Sequence, residues 1–160
     1  MNRYQKHILV LPEDDANRQI ANGFFVNWAG GIQQSICPVA RGWRRTFDEL
    51  RDDYENHVRN FPKCRFVILI DFDDHFDERM NLFRRMVPED LQDRIFLLGC
   101  IHEPETVRRE LNTTFEGIGR ILAEDCDTST RSVWNANQFR HNSLELNRLK
   151  ASLALVAEGD

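Results

Sequence analysis

The sequence predicts an α/β fold of three layers, Rossmann-like, with a small, mostly parallel four-stranded sheet between helices. Three observations point there. Apolar runs of five or six residues recur along the chain, too continuous for half-exposed strands and suited to parallel strands covered on both faces. Stretches with helical apolar spacing separate those runs. The composition, 41% apolar in 160 residues with 8 Gly and 5 Pro, is that of an ordinary globular domain with enough chain to bury a core.

The first strand is read at residues 7–11 (HILVL). A helix follows over residues 15–25, with Ile20, Phe24 and Phe25 on one side. Residues 33–39 (QQSICPV) form a weaker strand, and Pro38 assigns it to a sheet edge. Thr46 and Glu49 have the spacing of a capping box. Phe47, Leu50, Tyr54, Val58 and Phe61 then follow at helical steps, and Pro62 stops the helix. The third strand is residues 65–70 (RFVILI), followed by a helix carrying Met80, Phe83 and Met86. Residues 95–100 (IFLLGC) form the fourth strand. One long helix is expected from Pro104, burying Val107, Leu111, Phe115, Ile118 and Leu122. A last helix over residues 142–156 turns Leu146, Leu149, Leu153 and Val156 inward. Residues 125–142 are polar and irregular, the longest stretch without an assigned element. All of residues 1–160 are expected to form a single domain, with a core over about 4–122 and a C-terminal loop and helix over 123–160.

Composition excludes collagen-like, disordered and disulfide-scaffold classes. No apolar run approaches the roughly 20 residues of a membrane helix, and the first residues lack a signal-peptide layout, so a cytoplasmic protein without membrane contact is expected. With 21 basic and 26 acidic side chains the net charge is −5, so any nucleic-acid contact must come from a local basic patch. Cys37, Cys64, Cys100 and Cys126 show no zinc-like pairing and read as buried, reduced thiols. The five histidines show neither HxxxH nor HExxH spacing.

Chemistry gathers at the strand ends, where parallel sheets collect ligands. The first strand runs into Pro12-Glu13-Asp14-Asp15, the third into Asp71-Phe72-Asp73-Asp74, and the fourth into His102-Glu103-Pro104-Glu105. Asp14, Asp15, Glu103 and Glu105 are best read as helix caps and first-turn charges. Asp71 and Asp73 follow the most apolar strand. If that strand persists, alternation sends both carboxylates to one side, where their repulsion calls for a shared cation such as Mg²⁺.

A strand ending in glutamate (Glu13) and a later strand ending in Asp-x-Asp (Asp71, Asp73), 58 residues on, resemble the Toprim domain. That family includes topoisomerases, bacterial primases, recombination-repair proteins, a ribosomal RNA maturase and OLD-type nucleases. The resemblance spans about residues 4–122. It implies a stand-alone Toprim-like protein performing Mg²⁺- or Mn²⁺-dependent phosphodiester chemistry on DNA or RNA, most plainly a nuclease. Asp71 and Asp73 would hold the metal, and Glu13 would be the catalytic acid or base. The alternative is a catalytically silent Toprim-like module that binds a partner protein such as an ATPase. Likenesses to a receiver domain and to haloacid-dehalogenase-type phosphatases lose, because neither family's downstream lysine is found.

Arg41, Arg44 and Arg45 surround Trp43 just before the expected helix at Thr46. They read either as a nucleic-acid-binding lip, with Trp43 stacking on a base, or as loop arginines paired with Asp48, Asp52 and Asp53. Trp134, Phe139 and the polar residues between Arg131 and Arg140 have the donors and aromatics of a nucleic-acid contact, or form a polar loop packing its aromatics onto the domain, the preferred reading.

Overall fold

The structure is a computed structural model and describes residues 3–28 and 32–158. Four parallel strands, β1 (His7–Pro12), β2 (Gln33–Ile36), β3 (Cys64–Leu69) and β4 (Ile95–Leu98), form one sheet in the order β2-β1-β3-β4. β1 pairs with β3 from His7↔Cys64 to Pro12↔Leu69, so their carboxyl ends emerge side by side. β2 takes the expected edge and stops at Ile36, before Pro38, whose missing N–H could not extend the ladder.

All six β1 residues are buried because the sheet is covered twice. Alternation divides the strands between two cores. Ile8, Val10, Val67 and Phe96 pack under α1 (Asp15–Trp28), α5 (Pro104–Leu111), α6 (Phe115–Cys126) and α7 (Ser143–Glu158). Leu9, Leu11, Phe66, Ile68 and Leu97 pack under α2 (Trp43–Glu49), α3 (Glu55–Asn60) and α4 (Phe76–Met86). This is the α/β three-layer architecture expected, with every strand pair parallel. No helix among the described residues is long and apolar enough to cross a membrane.

Two helical expectations are corrected. Thr46 is not a cap. Gly42, at φ 144°, is the N-cap of α2 four residues earlier, and Thr46 Oγ1 instead donates to the Trp43 carbonyl at 2.6 Å inside the first turn. A π-helical segment, Leu50–Tyr54, then joins α2 to α3 while keeping Leu50 and Val58 in the core.

The single long helix from Pro104 is in fact two. Asn112 adopts the left-handed conformation that closes α5 (φ 49°), and Thr114 Oγ1 caps α6 by accepting from Gly117 N at 2.9 Å. The break re-aims α6 across α1, where glycines set the approach. A Cβ on Gly119 would stand 2.1 Å from the Ile20 carbonyl oxygen.

The polar stretch over residues 125–142 is a packed strap, as the loop reading of residues 131–140 expects. Buried Asp125 accepts from Val133 N and Trp134 N, both at 2.9 Å, and Trp134 and Phe139 enter the core. All four cysteines are buried and free.

Candidate functional site at the carboxyl ends of β1 and β3

Glu13 and Asp71 are drawn together by the way the parallel ladder ends. Glu13 N donates to Leu69 O at 2.9 Å. Beyond that rung β1 turns toward α1 and offers no further carbonyl. The Asp71 N–H is met instead by Glu13 Oε2 at 2.8 Å. Asp71 Oδ1 accepts from Asn17 Nδ2 at 2.9 Å and from the Cys100 thiol at 3.6 Å. Asn17 is itself fixed, because Asp14 Oδ1 accepts from both its backbone N and its Nδ2 at 2.9 Å. Asp14 is therefore the N-cap of α1, as its position predicted. Asp15 pairs with Arg18 at 2.7 Å in the first turn. Each central carboxylate keeps one oxygen, Glu13 Oε1 and Asp71 Oδ2, that no described donor reaches.

Burial dominates the electrostatics. It pushes Glu13 up to about 7; the hydrogen bond from Asp71 N opposes the rise, and the charges of Asp71, Asp14 and Asp73 add to it. Burial likewise raises Asp71 to about 6 against the stabilising Asn17 amide, with Asp14 and Asp73 repelling it further. Cys100, buried and facing Asp71, is held firmly as the thiol. Two carboxylates that resist ionisation beside each other form a site that gains from a cation.

Asp73 stands apart from the pair. Main-chain pairing beside β4 continues to Phe72 N, which donates to Cys100 O at 3.0 Å. The chain then turns through Asp73 and Asp74, at φ 49° and 63°. The turn, rather than a continuing strand, aims the Asp73 carboxylate. Its Oδ2 lies 3.1 Å from an Arg79 nitrogen that also donates to Asp71 O at 2.6 Å. The Arg79 side chain is 9% exposed and that of Asp73 55% exposed. Among the described residues, the set of three His, Cys, Asp or Glu groups whose ligand atoms all lie within 4.8 Å of one another is His7, His57 and Cys64, not Glu13, Asp71 and Asp73. His102 pairs with Asp74 at 2.8 Å and His75 with Glu78 at 3.5 Å, so both face neighbouring acids.

The arginine-rich segment is attached directly to this site. Arg41 N and Gly42 N donate to the Glu13 carbonyl at 2.7 and 3.3 Å. Arg41 itself sits at φ 68°. Arg41, Arg44 and Arg45 are exposed, and among the described residues they form no ion pair; Arg51 takes Asp48 and Asp52 instead. Trp43 is half-buried edge-on against Phe47, and two guanidinium groups lie over its ring, Arg79 at 4.3 Å and Arg44 at 4.9 Å. A stacked base would compete with them for that ring. Asn17, Arg79 and Cys100 escaped the sequence reading. Only Asn17 carried a local signal, its place three residues after the cap Asp14.

Comparison of the chain with protein-family models, curated proteins and solved structures yields no match.

Proposed function

We propose that the chain carries out metal-dependent phosphodiester chemistry, as a nuclease acting on DNA or RNA with Mg²⁺ or Mn²⁺. The observation that carries this reading is a pair of part-buried carboxylates, each with an oxygen that no described donor reaches, tied through the Glu13 carbonyl to a lip of exposed arginines. The Toprim resemblance of Glu13, Asp71 and Asp73 agrees with it. The donors suit a hard cation, since oxygen ligands from one or two carboxylates suffice when substrate phosphate and water complete the shell. When bound, such an ion would neutralise charge developing on the phosphoryl oxygens.

The chain's own residues divide the remaining work. Asp71, oriented by Asn17, is the principal ligand. Glu13, with its affinity for protons near neutrality, takes a proton from the attacking water. Arg41, Arg44 and Arg45 hold flanking phosphates, and Arg79 governs whether Asp73 is available.

A second reading, a silent module that binds a protein partner such as an ATPase, draws on one specific observation. Asp73 is already neutralised by Arg79, and Glu13 already serves the backbone at Asp71. Purified protein with Mn²⁺, offered single- and double-stranded DNA and RNA at low salt, separates the two. The nuclease reading expects cleavage that Asp71→Asn abolishes while binding persists. Neither binding nor cleavage would leave the partner-binding module as the better account.

A further inference from the structure

At the opposite end of the sheet, away from the acidic strand ends, three residues with metal-ligand chemistry meet in the core. His7 and Cys64 open β1 and β3 and are register partners in the sheet. His57 approaches from α3. Their ligand atoms lie within 4.8 Å of one another, with His7 Nε2 and His57 Nε2 3.2 Å apart. His7 and Cys64 are 1% and 0% exposed, so the cluster is in the protein interior with His57 at its rim.

The arrangement around His7 is that of a prepared ligand. Its Nδ1 lies 2.9 Å from the Gln5 carbonyl oxygen. A carbonyl only accepts, so Nδ1 carries the proton and Nε2 presents a bare lone pair. Metal-ligating histidines are oriented by this kind of brace. The His57 ring is stacked on Phe61 at 4.3 Å, which fixes its plane and leaves Nε2 toward His7. Cys64 Sγ makes a weak contact, 3.7 Å to its neighbour's carbonyl at Arg65. Zinc–nitrogen bonds of about 2.0–2.1 Å in a tetrahedron place two ligand nitrogens about 3.3 Å apart. The observed 3.2 Å fits an ion between the rings as well as it fits a shared proton.

We propose that His7 Nε2, His57 Nε2 and Cys64 Sγ bind a zinc ion that fastens β1, α3 and β3 together at the amino end of the sheet. Two imidazoles and one sulfur favour a borderline-soft ion over Mg²⁺. Among the described residues no fourth such ligand joins the set, so water completes the tetrahedron. Burial, reinforced by His7, keeps His57 neutral and able to coordinate. Burial also holds Cys64 up to about 12 as a thiol, opposed by Arg65 and Arg94, so binding must expel its proton to solvent. The proton between the two rings moves to His57 Nδ1. The site is independent of the carboxylate site, and either can fail without the other.

Cobalt(II) as a zinc probe tests this, using chelator-treated full chain that carries Asp71→Asn and Asp73→Asn to silence the strand-end carboxylates. One equivalent should give an intense tetrahedral ligand-field spectrum with a thiolate-to-cobalt charge-transfer band, and zinc should displace it. Cys64→Ala should remove the charge-transfer band. Because that position is in the core, His57→Phe, at the half-exposed rim, provides the second variant. It should keep the circular dichroism of the fold and weaken cobalt binding at least tenfold. A weak octahedral spectrum in the parent, or unchanged cobalt affinity in His57→Phe, would overturn the proposal.

Discussion

Replacing Glu13 by Gln removes a charge while keeping the carbonyl-type oxygen that accepts from Asp71 N. In the wild type, ionised Glu13 works against the fold. Its affinity for protons rises from 4.5 to about 7, chiefly through burial, with Asp71, Asp14 and Asp73 repelling it as well. The native state therefore binds more protons than the unfolded chain between about pH 4.5 and 7. Stability must fall as pH rises through that window, and it is level on either side. The full shift corresponds to about 3 kcal/mol against the ionised form. Solvent reaches part of Glu13, and its screening reduces this to about 1–2 kcal/mol. Asp71 titrates with it as a coupled pair and steepens the lower part of the window. Thermal or urea unfolding of wild type and Glu13→Gln from pH 4.5 to 8.5 reads the difference. The variant should match wild type near pH 4.5 and melt about 2–8 °C higher at pH 8, where about 1 kcal/mol corresponds to about 2–4 °C in a chain of this size. A variant equally destabilised at every pH would show that the hydrogen-bond geometry, not the charge, dominates at Glu13. That result would falsify the electrostatic account.

Arg44→Ala combined with Arg45→Ala should weaken nucleic-acid binding and reduce the slope of log affinity against log salt by up to about 2, because each released phosphate contact contributes nearly one. An unchanged slope would remove the lip from the interface. Gly119→Ala tests the α1–α6 crossing. The added Cβ would lie 2.1 Å from Ile20 O and 2.5 Å from Phe24 N, backbone atoms that cannot turn aside. The expected loss is about 3 kcal/mol, or about 6–12 °C in Tm, and a neutral result would mean that the helices separate easily.

Much of this architecture was legible because burial on both sheet faces leaves a strong trace. HILVL, RFVILI and IFLLGC read as strands covered on both faces, and QQSICPV, with Pro38, as an edge; that IFLL forms the opposite edge had no such trace, because α7 and Asn142 cover it. Helix ends were less legible. A Thr-x-x-Glu pattern looks the same whether or not Gly42 has already begun the helix, and the apolar spacing from Val107 to Leu122 runs unbroken across the break that Asn112 and the Thr114 cap make. At the strand ends, the adjacency of Glu13 and Asp71 follows from the parallel pairing of β1 with β3, which skips β2 in the chain. The diversion of Asp73 to Arg79 could not be read from the sequence, since it depends on a left-handed turn and on a guanidinium six residues further along in sequence. The His7–His57–Cys64 cluster has no sequence spacing at all, because it is assembled by strand register and by the docking of α3.

The central claim is that the β1 and β3 carboxyl ends form a divalent-cation site. Crystals soaked in Mn²⁺ and measured for anomalous scattering test it most directly. The account predicts a peak bonded to Asp71 and Glu13 oxygens, with Asp73 drawn away from Arg79. Carboxylates unchanged at full Mn²⁺ soak, with Glu13 still on Asp71 N and no peak beside them, would contradict it.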